Sequence, residues 1–324
     1  MSHYLNRDMK RYLVIENSSR DIEISRNSFI QYLKNENAEV DCLLYYNVRG
    51  VTLSNYDIIF IFRLETLFKL SLKLLLNHSR TKVIITGLGR YRSNLFLKYI
   101  ILSYVYTLQL ILGRKNIDII FQNSQDSEEF FGESRVVLGS GIESSSDLFI
   151  KERRNKVVRL AYAGRFLKSK GILKFLSLTD NPNFNEFEFY LAGRASRDIN
   201  LNMLYPFLDR NNVKFLGYLS NLTEFYHSID IFIFPSVYGE GFPRVILDCI
   251  NKGIPFIVLR SNYTDDINLP DEIMLKLVLD EWDLEVVLDS INYIVSNYSV
   301  LSKEILKIRG DYSNESVFNS WLYL

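Results

Sequence analysis

Cysteine and histidine are scarce in this chain. Cys42 and Cys249 are the two cysteines among 324 residues, so far apart that a disulfide framework or a Cys-rich zinc site is excluded and a reducing compartment fits. His3, His78 and His227 are too scattered to build a metal site, and the expected metal ligand set is empty. Net charge is absent too, 38 Lys and Arg balancing 38 Asp and Glu. With 48% apolar and 23% charged residues, that balance excludes a disordered chain, a collagen-like chain and a basic nucleic-acid tail, so no nucleic acid is expected as partner. The N-terminal run MSHYLNRDMKRYLVIENSS lacks the long apolar core and small-residue cleavage site of a signal peptide, which predicts a cytoplasmic protein. At roughly 150 residues per domain the length suggests two domains.

Acidic residues are missing altogether between Glu65 and Asp118. Nine cations fill that gap, Lys69, Lys73, Arg80, Lys82, Arg90, Arg92, Lys98, Arg114 and Lys115, so the rest of the chain carries the opposite charge. A basic 66–117 segment on an otherwise acidic protein predicts attraction to an anionic surface. The same segment holds the most apolar run of the chain, Leu95–Leu112, with Tyr99, Tyr104 and Tyr106 inside it. Its 18 residues sit at the lower edge of a membrane span, and Lys98, Ser103, Thr107 and Gln109 interrupt it. Three readings stay open: a span, a buried helix of the domain, or a helix lying at a membrane interface.

Short apolar runs alternate with helical patterns, which predicts parallel α/β sheets covered on both faces. The first strands are expected at Tyr12–Ile15, Val40–Tyr46, Tyr56–Phe62, Lys82–Thr86 and Ile117–Gln122, with helices such as Ser28–Asn35 and Thr66–Asn77 between them. The charged run Lys151–Lys156 reads as a linker, after which the alternation restarts. Strands are expected at Val157–Ala163, Glu186–Ala192, Val213–Leu216, Ile231–Pro235 and Pro255–Leu259. Helices are expected at Ser169–Leu178, Asp198–Leu208, Leu222–Ser228 and Pro243–Lys252. The expected domains are 1–150 and 157–310, with a C-terminal helix in 311–324 able to cross back to the first. Two such domains would place a ligand cleft at the carboxyl ends of their sheets.

Two segments could carry chemistry. After the first strand of the second domain comes Gly164-Arg165-Phe166-Leu167-Lys168-Ser169-Lys170-Gly171. Glycine at a strand end allows close backbone approach, and Arg165 and Lys170 beside a helix start suit a diphosphate. The Walker order GxxxxGK[ST] is absent. The second segment runs from Phe234 to Asp248, with Pro243 suited to a first helical turn. Glu240 and Asp248 would be separated by on the order of 10 Å along that helix, against about 5 Å for a retaining hydrolase pair. They match acids gripping two ends of one elongated ligand. A carboxylate placed among Val245, Ile246, Leu247, Cys249 and Ile250 needs a partner if buried.

The motifs GRFLKSKG at 164–171, YLAG at 190–193, VKFLGYL at 213–219, IDIFIFPS at 229–236 and GEGFPRVILDCINKGIPFI at 239–257 resemble a retaining glycosyltransferase of family 4 with the GT-B fold. TGLG at 86–89, FQNSQD at 121–126 and GSGIESSSDLF at 139–149 resemble bacterial members that build O-antigen, capsule or exopolysaccharide. The resemblance implies two Rossmann-like domains facing across a cleft. It implies transfer of a sugar from a nucleotide donor, most often UDP-linked, to a glycan or polyprenyl-diphosphate-linked acceptor, with retention and without a metal or other cofactor. Arg165 and Lys170 would stabilise the leaving diphosphate near Gly164, and Glu240 would contact the hydroxyls of the transferred sugar. Asp248 would bind ribose where the family usually has Glu, Tyr218 would line the base, and the backbone around Gly241, Phe242 and Arg244 would contact sugar and phosphate. The first domain lacks the family's glycine-pair loop, Glu16–Arg20 taking its place, and lacks its donor-contacting histidine. A non-catalytic nucleotide-sugar-binding subunit and a nucleotide-sugar epimerase are the competing readings.

Overall fold

The computed structural model describes residues 9–76, 80–89, 95–112, 116–131, 135–143, 157–196 and 198–324. The linker at Lys151–Lys156, His3, His78, and Arg90, Arg92, Arg114 and Lys115 lie outside them, as does the 144–149 end of the GSGIESSSDLF motif. Two compact units are present: residues 1–143, 239–242 and 312–324, and residues 144–238 and 243–311.

The first unit runs β1 (Arg11–Glu16), α1 (Asn27–Asn35), β2 (Glu39–Leu44), β3 (Ile58–Phe62), α2 (Leu64–Leu75), β4 (Arg80–Ile85), α3 (Leu95–Leu112), β5 (Ile117–Phe121) and α4 (Ser124–Phe131). Its five strands form one sheet in the order β2-β1-β3-β4-β5, every pair parallel. Alternate side chains point to opposite faces of a strand. Leu13, Ile15, Ile59, Ile61, Val83 and Ile85 therefore pack with α2 and α3, while Tyr12, Val14, Phe60, Phe62 and Ile84 pack on the other face with Phe29, Ile30 and Leu33 of α1.

The second unit runs β6 (Arg159–Phe166), α5 (Ile172–Ser177), β7 (Glu188–Ala195), α6 (Tyr205–Leu208), β8 (Val213–Phe215), α7 (Thr223–Ser228), β9 (Ile231–Phe234), α8 (Arg244–Lys252), β10 (Phe256–Leu259), α9 (Asp271–Leu277), β11 (Val278–Leu279) and α10 (Leu284–Lys307). Its strands make a parallel sheet in the order β11-β10-β9-β6-β7-β8. Every strand expected from the sequence is present. Two expectations shift. The helix expected from Ser169 begins at Ile172, because Gly171 takes a left-handed φ of 79° after a tight turn at Lys168–Lys170. The helix expected over Asp198–Leu208 shrinks to a short turn at Leu201–Met203 and four residues with Pro206 in the first turn. The 24-residue α10, capped by Asp283, and the short β11 and α9 are additions.

The last helix, α11 (Asn314–Tyr323), belongs to the first unit. Trp321 and Phe318 are fully buried there, Trp321 meeting the Phe29 ring at 5.0 Å and the Phe62 ring at 5.3 Å. The backbone at Tyr312 and Asn314 pairs with Ile142, so the chain enters this helix in a fixed register.

Candidate functional site

In the second unit, β6 and β7 end alike, Ala163-Gly164-Arg165 beside Ala192-Gly193-Arg194 in register. Both glycines have φ of 153°, open to glycine alone, and a Cβ on Gly193 would lie 1.9 Å from the Gly164 carbonyl oxygen. The register sets Arg165 and Arg194 side by side on one face of the sheet, about 4.8 Å apart at the backbone. Both are exposed, and among the described residues neither guanidinium has a carboxylate partner. Arg194 lies 5.5 Å from the centre of the half-exposed Tyr218 ring.

Lys170 sits in the turn that follows. Its Nζ lies 5.8 Å from the Phe234 ring and 5.6 Å from the Tyr238 ring. The buried Tyr162 hydroxyl is 3.2 Å from the carbonyl oxygens of both Arg165 and Lys170, tying the strand end to the turn. A Cβ on Gly171 would lie 2.1 Å from the Pro235 carbonyl oxygen, and the Val237 N–H donates to Ser169. The loops after β6 and β9 are thus locked together, which fixes where the Lys170 cation can reach.

Helix α8 opens after Pro243, whose missing N–H falls outside the helical ladder, and ends at the left-handed Gly253. One turn in, Asp248 is mostly buried, with 19% of its side chain exposed. It has the partners that burial demands: Arg244 donates to Oδ1 at 3.1 Å and the Tyr226 hydroxyl donates to Oδ2 at 3.3 Å. Burial pushes its carboxyl above the ordinary carboxylate range, and Arg244 and Tyr226 offset only part of that rise. Burial and the adjacent Asp248 charge hold the Tyr226 phenol well above its ordinary value.

Glu240, Gly241 and Phe242 belong to the first unit, a difference from the expected 157–310 span. The cause is a glycine interlock with the TGLG turn after β4. The Gly89 N–H donates to the Gly239 carbonyl at 2.8 Å, a Cβ on Gly87 would lie 2.5 Å from the Gly241 nitrogen, and one on Gly241 would lie 2.6 Å from the Thr86 carbonyl carbon. Asn123, just after β5, donates to the Gly241 carbonyl at 3.0 Å and to Asp126 at 2.9 Å. Phe242 packs on Tyr312 with ring centres 5.1 Å apart.

The site residues expected from sequence therefore fall into two sets: Gly164, Arg165, Lys170, Tyr218, Arg244 and Asp248 in the second unit, and Glu240, Gly241 and Phe242 in the first. Arg194, Tyr226 and Asn123 are additions. The repeated Ala-Gly-Arg is a signal for Arg194; Asn123 lies in the quoted FQNSQD run; nothing local marks Tyr226. After β1, where the sequence has Glu16–Arg20 in place of a glycine pair, Glu16 accepts from Arg26 at 2.7 Å in a buried ion pair over the Phe62 ring. Among the described residues no cluster of His, Cys, Asp and Glu could hold a metal ion.

Residues 144–307, half of the chain, match the family described as glycosyl transferases group 1. A capsular polysaccharide biosynthesis glycosyltransferase, CapM of Staphylococcus aureus, is 22% identical over 179 residues, 53% of this chain. The match spans 46% of that relative, less than half its length. Among solved structures, Anabaena Alr3699/HepE in complex with UDP and glucose superposes with a TM-score of 0.73 at 12% identity, covering 97% of this chain and 98% of that one. Sucrose-phosphate synthase from Thermosynechococcus elongatus superposes with a TM-score of 0.70 at 13% identity, covering 96% of each. These likenesses show the fold, GT-B, with two parallel α/β sheets. By the match over 144–307, the chain belongs to the group 1 glycosyl transferases.

Proposed function

We propose that the protein is a retaining hexosyltransferase-type enzyme that moves a sugar from a UDP-sugar to a glycan or polyprenyl-diphosphate-linked acceptor in bacterial surface polysaccharide synthesis. The observation that carries this reading is the cationic strand end, where Arg165 and Arg194 stand in register, neither with a carboxylate partner among the described residues, and Lys170 lies in the turn tied to them. Partnerless guanidiniums on rigid backbone are suited to a diphosphate. The UDP bound by HepE supports the nucleotide, and the name of CapM supports the class of product.

In the proposed reaction the bond from the sugar's anomeric carbon to the diphosphate oxygen breaks, and its electrons leave with UDP. The acceptor oxygen forms the new bond on the same face, and its proton passes to the departing phosphate. Arg165 and Lys170 stabilise the growing negative charge, so the protein's own side chains supply the positive charge and no divalent metal is required. Glu240 holds the sugar hydroxyls, Asp248 the ribose hydroxyls, and Tyr218 lines the base. The backbone near Gly164, Gly241, Phe242 and Arg244 completes the contacts. The enzyme works in the cytoplasm, at the inner face of the membrane that carries its acceptor.

The test is release of UDP from a panel of UDP-sugars, with and without pooled lipid-linked glycans, in chelator, for the native chain and Glu240→Ala. Acceptor-dependent release that the substitution abolishes is the expected result. Tight UDP binding with no turnover of any donor would favour the non-catalytic subunit, and an epimerised free donor would favour an epimerase.

A further inference from the structure

The acid-free 66–117 segment contains a helix whose outer face is exposed and apolar. In α3, Ile101, Val105 and Leu108 are buried against the sheet of the first unit. A helix packed in this way is not a membrane span, and among the described residues no helix is long and apolar enough to cross a membrane. The opposite face carries Phe96, Tyr99, Ile100, Tyr106, Leu110 and Ile111, each between 47% and 74% exposed. At 3.6 residues per turn these six fall on one side of the helix, opposite Ile101, Val105 and Leu108. Leu72 and Leu76, at the end of the adjacent α2, are 76% and 82% exposed. Nine of the 23 exposed large apolar side chains among the described residues lie on or at the ends of these two helices. A helix that is apolar all round is normally buried all round.

The charge pattern identifies the cover. Of the nine cations, Lys69 pairs with Glu65, Lys73 donates to the Val48 and Arg49 carbonyls, and Arg80 and Lys82 lie against Asp118. Those four serve the fold. The remaining five are Arg90 and Arg92 just before α3 in sequence, Lys98 within it, and Arg114 and Lys115 just after it. An exposed apolar stripe on a helix preceded and followed in sequence by cations, with tyrosines among its apolar residues and no acid between Glu65 and Asp118, complements an anionic lipid surface. The polar interruptions are compatible with it: the Thr107 hydroxyl donates to the Ser103 carbonyl at 2.7 Å, so it does not depend on water.

We infer that the outer face of α3, extended by Leu72 and Leu76, is a monotopic docking surface for an anionic bilayer, the helix lying in the plane of the interface. This inference rests on the proposed membrane-side acceptor and gives it a physical contact. It requires more than a polybasic patch: apolar insertion supplies part of the affinity, and that part persists in salt.

The experiment is co-sedimentation of the full chain with phosphatidylglycerol/phosphatidylcholine vesicles and with phosphatidylcholine alone, alongside UDP binding in solution. The native chain is expected to bind the anionic vesicles. Ile100→Gln/Leu110→Gln is expected to weaken that binding at least about tenfold, leaving UDP affinity unchanged. Arg114→Glu/Lys115→Glu is expected to weaken it most at low salt. Absence of native binding, or equal binding by the Ile100→Gln/Leu110→Gln protein, would overturn the inference. So would a native dimer that this variant disperses, because the cover would then be a second copy of the chain. Failure to bind UDP in every variant, with vesicle binding intact, would instead count against the transferase reading.

Discussion

The Tyr226 hydroxyl and the Asp248 carboxylate meet at 3.3 Å across two elements, α7 and α8, that the intervening strand β9 brings together. The Asp248 carboxylate is held from both sides, by Tyr226 and by Arg244 one turn earlier on the same helix. Under the proposed function this carboxylate takes the ribose hydroxyls, so Tyr226 acts as a positioning residue. A hydrogen bond to a charged group contributes about 1.5 to 3 kcal/mol. Tyr226→Phe should therefore raise the donor KM by about tenfold or more with little change in kcat. The pH profile gives a second readout. Burial already raises the Asp248 pKa, so protonation, and with it weaker donor binding, sets in at higher pH than for an ordinary carboxylate. Tyr226 lowers that pKa, so losing its hydroxyl should move the acidic limb of kcat/KM further upward in pH. A purely structural role for Tyr226 would leave the limb where it is.

Arg194 provides a test of the cationic strand end that is independent of α8. Its guanidinium is exposed, so truncation opens no cavity, and it lies over the face of the Tyr218 ring. Arg194→Ala should weaken UDP binding by about tenfold, the worth of one charge-assisted contact, and should weaken uridine binding much less. Arg194→Lys should restore only part of the loss, because a point charge cannot replace the planar fork. Calorimetric titration of UDP, UMP and uridine separates the outcomes. Equal losses for all three ligands would mean that Arg194 acts through the Tyr218 ring and not on phosphate.

The strands were legible because a parallel strand covered on both faces is a continuous apolar run, as at Ile58–Phe62 and Ile231–Phe234. Helices were legible where a turn signal bounded them, as for α8 between Pro243 and Gly253. The Asp198–Leu208 pattern misled because Asn200 and Pro206 favour turns, which local apolar spacing does not reveal. For α10 the signals were present, Asp283 as cap and Val287, Ile291, Ile294, Tyr298, Leu301 and Ile305 at helical spacing. Arg165 and Lys170 could be read because strand, glycine and cation follow each other along the chain. The place of Glu240 could not be, since it depends on Gly241 meeting Thr86, with the strands β6 to β9 of the second unit between them along the chain.

Lys82 is a buried charge with a measurable signature. It lies on β4, next to the edge strand β5, with Asp118 its register partner on β5 and its Nζ 3.8 Å from that carboxylate. Burial, with Arg80 and Arg135 nearby, lowers its pKa to about 8, against the Asp118 charge. The sign follows from proton uptake. Between about pH 8 and the unfolded value near 10.4 the unfolded chain holds a proton that the folded chain has released, so Lys82 makes stability rise with pH across that window. Lys82→Met removes this contribution, and Asp118 keeps Arg80 at 2.8 Å and Arg135 at 2.9 Å as partners. The substitution should be neutral or stabilising at neutral pH, with its advantage shrinking as pH rises to about 10. Urea unfolding of both proteins at the two ends of the window measures it, and an advantage that grows with pH would contradict the argument.

Trp321 tests how far the first unit depends on its C-terminal helix. The indole is fully buried among Phe29, Phe62 and Phe318 on the sheet face that α1 shares. Trp321→Ala would leave a large cavity in that aromatic cluster and should cost about 3 to 5 kcal/mol. Trp321→Phe keeps a ring in the same place and should cost distinctly less. Because Trp321 lies in the first unit and Arg165, Lys170 and Asp248 lie in the second, UDP binding should survive the Ala substitution at temperatures where the first unit's amides exchange faster. Hydrogen exchange resolved by segment would show the loss of protection in β1, β3 and α1. A uniform loss across both units would mean instead that the two unfold as one cooperative block, and the docking energy of α11 would then have to be assigned to the whole chain.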